Sequence, residues 1–251
     1  MSSSLKFGKK SARYDRRDML MSKYLDMANL PPIPAQFGHE GLITSYGMLG
    51  NDSVGDCVLA GAAHETMVWS ASAGRFPSFR DVEVISDYSA ITGYDPSDPR
   101  SDQGTDMHDA MKYRRQTGIL DSRGLRHKIG AYLWLEPGNV KHIIAATYLF
   151  GAVGLGIRFP DSAMDQFDSG QPWSPVGGSP VSNGHYVSLV ANRRNPVCVT
   201  WGKLQEITEG FIRTYCDEAV AMISADYLTA GKTTDGFDVA SLVKDADLLR
   251  K

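Results

Sequence analysis

The sequence changes character near residue 125: segments with helical periodicity come first, and segments of strand-like composition follow. That segregation points to an α+β fold with a helical lobe and a mainly β lobe. From Cys57 to about Ser72 only Gly61 interrupts a run whose apolar residues Val58, Leu59, Ala62, Met67 and Val68 recur at helical spacing. Further helices are expected over Asp81–Thr92 and Asp106–Thr117, the second stopped by Gly118. Then come the apolar runs "AYLWLE" (131–136) and "GAVGLGIRF" (151–159), with a helical stretch over Pro137–Leu149 between them. "HYVSLVANRR" and "PVCVTWGK" read as a hairpin around "NRRN". Leu204, Ile207, Phe211, Tyr215, Ala219 and Met222 stand three or four apart and predict a closing amphipathic helix over Leu204–Asp226.

A chain of 251 residues can bury one core or two lobes around a cleft. We expect an N-terminal arm at 1–36, charged at first and then broken by prolines. A domain follows over 37–227, helical over about 37–125 and β over about 126–227 with the closing helix, and a tail over 228–251. With 42% hydrophobic residues and a net charge of −3, neither nucleic acid nor a membrane is an expected partner. No apolar run approaches the ~20 residues of a membrane span, and no secretory signal pattern is visible, so a cytoplasmic product is expected. The three cysteines are too widely spaced for a disulfide framework or a paired-cysteine metal site, and no phosphate-binding glycine loop occurs. No metal and no cofactor are therefore expected.

Cys57 opens its helix just after a Gly-Asp turn, where the unpaired N–H groups of the first turn favour a thiolate. Nucleophilic catalysis by cysteine also needs a base and an oxyanion donor. His185 opens a strand after a Gly-rich loop, and Trp201-Gly202 follows the next strand. Among other candidates, His64 reads as a core or lobe-interface residue and His108 as part of a solvated helix face. Cys198 and Cys216 read as buried apolar residues. The acidic stretch 95–106 lacks the ligand spacing of a calcium loop and reads as solvated.

In order and spacing these residues resemble the papain-like cysteine peptidases, from about Leu30 to Ser224. "NDSVGDC" (51–57) corresponds to the family's Gln-to-Cys segment, "GTDMHDAMKYRRQTGI" (104–119) to its Gly-Gly segment and the helix after it, "GHYVSLV" to its His strand, and "VTWG" (199–202) to its Asn-Ser-Trp-Gly. The resemblance implies a two-lobe fold with a cleft that takes a peptide or protein substrate. It implies Cys57 as nucleophile, His185 as base and acid, Asn51 as oxyanion donor, Trp201 as a shield for the histidine, and Gly104 and Thr105 along the substrate backbone. The sequence also departs from the family. Val199 stands where the family has its His-orienting Asn, and Thr200 could serve only with a shifted register. Asp56 places a negative charge beside the thiol, and Thr105 narrows the cleft. The arm is short for covering that cleft. Residues 201–223 also look like papain-like proteins of bacteriophages and prophages. That similarity points to a phage origin without fixing a role. The alternative to a peptidase is a weakened or inactive papain-like module with a structural or binding role, as in a phage particle, associating with other virion proteins or with itself through the terminal arms; its motivation is Val199, Thr105 and the two terminal extensions.

Overall fold

A computed structural model of the chain describes residues 5–23, 32–229 and 232–233. A short strand β1 (Phe37–Gly38) precedes three helices, α1 (Cys57–Ser72), α2 (Asp81–Thr92) and α3 (Met107–Gln116). Of the α1 side chains only Met67 and Ser72 reach partial exposure, so the helix is buried all round and lies at the centre of the molecule. Gly61 permits this: a Cβ there would sit 2.5 Å from the Tyr186 ring. In α3 the Asp106 side chain caps the N-terminus by accepting from the amides of His108 and Asp109.

Two short strands, β2 (Ile119–Leu120) and β3 (Arg126–His127), lead to the main sheet. In chain order its remaining region contains β4 (Ile129–Leu135), α4 (Val140–Phe150), β5 (Val153–Ile157), α5 (Ser162–Asp168), β6 (His185–Asn192), β7 (Pro196–Thr200), β8 (Lys203–Glu206), α6 (Glu209–Tyr215) and β9 (Cys216–Ser224). The sheet runs β4-β9-β5-β6-β7-β8, all antiparallel, with β1 paired to the end of β6. Strand alternation gives it two apolar faces. Tyr186, Val190, Val199, Val220 and Met222 pack with α1, α2 and α3, whereas Val187, Leu189, Cys198, Ala219 and Ala221 pack with α4 and α6. A buried polar knot ties helices to sheet: Arg114 of α3 pairs with Glu65 of α1 at 2.6 Å, and Glu65 accepts from the hydroxyls of Tyr186 (2.7 Å) and Ser188 (3.1 Å).

The closing helix expected over Leu204–Asp226 does not form. Only Glu209–Tyr215 is α-helical, capped by Thr208, Cys216–Ser224 is instead a strand inserted between β4 and β5, and a 3-10 turn follows at Ala225–Tyr227. The apolar spacing that suggested a helix is carried here by a short run, Ala219–Ile223, that fits a strand equally well, and pairing on both edges decides it. Of the expected tail, Leu228–Thr229 and Lys232–Thr233 form a small hairpin of β10 and β11. The other tail residues lie outside the described residues.

The arm crosses the body, and although its sequence reads as short for covering the cleft, it is long enough to enter it. Its residues 5–10 run between the two lobes, and further along Met19 accepts a hydrogen bond from the Trp134 amide at 2.8 Å.

Candidate active site

Cys57 is the first residue of α1, and its thiol is buried. Burial pushes that thiol up to about 12, with backbone amides of Tyr186 and Gly8 pulling the other way. Asp56, just before it, is fully buried with neither carboxylate oxygen hydrogen-bonded. Burial raises its pKa well above the usual carboxylate range, which favours the neutral acid and weakens the charge expected beside the thiol.

His185 begins β6 with its ring 1% exposed. Trp201 stacks on one face at 4.1 Å between centroids, and Phe7 and Phe159 meet the ring edge-on at 5.7 Å. This aromatic box lowers the imidazole to about 3 by burial alone. Nε2 is hydrogen-bonded to the Thr200 hydroxyl at 2.7 Å, whereas Nδ1 has no hydrogen-bond partner. Thr200, not Val199, is thus the group behind His185. Alternation explains it: Val199 faces the core under α1, so its neighbour faces the other side, where His185 lies. The β6–β7 pairing also has an irregularity between Leu189 and Ala191, away from the Thr200 end.

Trp201 has φ 43° and Gly202 φ 70°, the left-handed pair of a two-residue hairpin turn linking Thr200 to its partner Lys203. Left-handed backbone is unfavourable for a tryptophan, and the stack on His185 offsets it. Asn51 is buried, and its side-chain amide donates to the Val54 carbonyl (3.1 Å) and, across the cleft, to the Lys6 carbonyl (3.4 Å).

The cleft holds the chain's own arm. Thr105 donates to the Gly8 carbonyl (2.7 Å) and accepts from the Lys10 amide (3.0 Å), while Lys9 exchanges two 2.9 Å bonds with Gly184 on the opposite wall. The arm is therefore an extended strand clamped on both edges. Contact is close enough to require glycine. A Cβ on Gly8 would lie 1.7 Å from the Gly55 carbonyl oxygen, and one on Gly104 2.3 Å from the Gly8 oxygen. Asp102 and Tyr88 brace this wall: Asp102 accepts from the Gly55 amide (2.9 Å) and the Tyr88 hydroxyl (2.5 Å), and Tyr88 accepts from the Gly104 amide (2.9 Å).

Xylellain, a cysteine protease from Xylella fastidiosa, aligns with a TM-score of 0.66 at 14% identity, over 88% of this chain and 97% of its own. The fold is papain-like. Similar structures include the Carica candamarcensis cysteine protease CMS1MS2 in complex with E-64 (TM-score 0.55, 14% identity, 76% of this chain and 99% of that one). Procathepsin B S9 from Trypanosoma congolense is another (0.59, 11%, 88% and 86%). Neither a protein-family model nor a curated protein sequence matches the chain.

Within this papain-like fold Gly104, Thr105, Asn51, Cys57, His185 and Trp201 all border the path of the arm or the ring beside it. His64 is buried against the Gly47 carbonyl at 3.0 Å, and burial lowers it to about 4. His108 is not on a solvated face: it is 6% exposed, stacked on Trp134 at 4.2 Å and bonded to Asp18 of the arm at 3.0 Å. The arm covers what would otherwise be an open helix side. Cys198 and Cys216 are buried thiols. Reading the sequence named Thr200 only conditionally as the partner of His185, and missed Gly8 and Lys9 as cleft occupants and Asp102 as a brace. Strand alternation could have found Thr200. Among the described residues no helix is long and apolar enough to cross a membrane, and no group of three or more His, Cys, Asp or Glu is placed to hold a metal.

Proposed function

We propose that this chain is a papain-like cysteine peptidase or amidase whose cleft is closed by its own N-terminal arm. The observation that carries the reading is an extended peptide, residues 5–10, already bound between the two walls, with Gly8 at the Cys57 thiol. Several similar solved structures are described as pro-forms, including procathepsin B S9 and the ragweed allergen Amb a 11.

In this state the Gly8 amide acts on the thiol as a donor, and the thiol and the His185 imidazole are both neutral at pH 7. When the arm leaves, water reaches the site, and both pKa values relax toward their ordinary range. Catalysis uses the tautomer in which the Thr200 hydroxyl, 2.7 Å away, accepts from Nε2–H, so that the Nδ1 lone pair serves as the base. Cys57 gives its proton to His185, and Sγ attacks the carbonyl carbon. The oxyanion is held by the Cys57 amide and by the Asn51 amide hydrogen now given to Lys6. Collapse expels the amine, which takes the proton from His185. Water, deprotonated by His185, then releases the acyl group from sulfur.

The test is hydrolysis of a peptide library by the full chain carrying Gly8→Val, which cannot seat its arm, compared with the same chain carrying Cys57→Ala. Turnover that depends on Cys57 supports the reading, and its absence sinks it. A second reading, a papain-like module that binds other chains, in a virion or elsewhere, is favoured by the filled cleft and by the unpartnered His185 Nδ1. It predicts stable association that persists in Cys57→Ala and no turnover in either variant.

A further inference from the structure

Lys9 is 1% exposed, although lysine is almost never fully buried without a charge partner. Its ammonium has two such partners, Asp217 at 2.8 Å and Glu218 at 2.9 Å. Successive residues of a regular strand point to opposite faces, so adjacent carboxylates should not converge. In the β5–β9 pairing, however, Ile157 stands opposite Cys216 and Gly156 opposite Glu218, which leaves Asp217 as an extra residue. This bulge turns both carboxylates toward one ammonium.

The opposite wall is shaped for a long, unbranched stem. A Cβ on Gly156 would lie 2.1 Å from Lys9 Cε and 2.9 Å from Met107 Sδ, so any larger residue would close the slot. The polar surroundings are few. Glu218 also accepts from the Arg13 backbone amide at 3.2 Å, and His108 Nδ1 lies 3.9 Å from it. Both of the arm's cationic and backbone contributions depart with the arm, leaving two neighbouring carboxylates, one of them 5% exposed. An apolar side chain entering that slot would strand these charges, whereas a second cation would restore the balance.

We propose that the slot now filled by Lys9 is a specificity pocket that selects a lysine or arginine side chain on an extended peptide lying between Thr105 and Gly184, with Asp217 and Glu218 as its charge partners. The fate of that peptide rests on the peptidase reading above; its binding does not.

Two measurements on the full chain with Gly8→Val, its folding checked by circular dichroism and thermal melt, separate the ideas. In the first, a peptide library varied one position at a time reports turnover. One position should favour Lys and Arg over Leu by about tenfold or more, and Asp217→Asn with Glu218→Gln should abolish that preference. In the second, with Cys57→Ala added, a fluorescent peptide of residues 5–14 is compared with one carrying norleucine in place of Lys9. The norleucine peptide should bind about tenfold more weakly, and the double carboxamide variant should not distinguish the two. Charge-selective binding without turnover keeps the pocket and removes the peptidase reading. Turnover with no basic preference, or equal binding of the two peptides, overturns the pocket.

Discussion

At the scale of single residues, one hydroxyl decides how the His185 ring is held. The bond from Nε2 to Thr200 fixes the ring's rotation, and the Trp201 stack fixes its plane. In the arm-released chain, Thr200→Val should lower kcat/KM by roughly tenfold or more, and Thr200→Ser should retain most of it; steady-state kinetics across pH checks both. A Thr200→Val chain as active as its parent would remove Thr200 from the site. The helix start at Cys57 and the strand start at His185 were legible because each is a junction with a sequence signature: a Gly-Asp turn before a helix, and a Gly-rich loop before a strand. Thr200 was not, since counting back from Trp201 selects Val199, and only the pleat of β7 shows that Val199 faces the other core. Asp56 was legible as an acid, but its loss of charge depends on burial that a sequence does not display.

At the scale of elements, α1, α3 and β6 are held by one buried ion pair with two hydroxyl donors. Removing one charge leaves the other stranded. Arg114→Ala should therefore destabilise the protein by about 3–5 kcal/mol in denaturant melts, and a loss under 1 kcal/mol would show that the knot is dispensable. The helices of the first half were legible from their period and stop signals, as Gly93 at φ 75° after α2 illustrates. The stretch 216–224 was not. Its spacing of apolar residues suits a helix, yet its position between β4 and β5 is set by partners such as Val153 and Leu133, which pair with Ala221 from far along the chain. The same misreading hid Asp217 and Glu218, whose joint orientation comes from a bulge in that strand.

At the scale of the whole molecule, the arm closes a papain-like cleft and keeps its thiol from solvent. Its existence was legible in the charged, proline-bounded stretch at the start, but its path was not. Backbone hydrogen bonds and glycine-to-backbone contacts fix that path, and neither leaves a side-chain pattern to read. The central claim is that seating of the arm controls Cys57. It is tested most directly by the rate at which iodoacetamide modifies Cys57 at pH 8, followed by peptide-resolved mass spectrometry in the wild-type chain and in Gly8→Val. The thiol held near 12 in the closed cleft should react negligibly in the wild type. Gly8→Val should raise its rate at least about tenfold while Cys198 and Cys216, buried elsewhere, stay unmodified. Equal Cys57 rates in the two folded proteins would contradict the account.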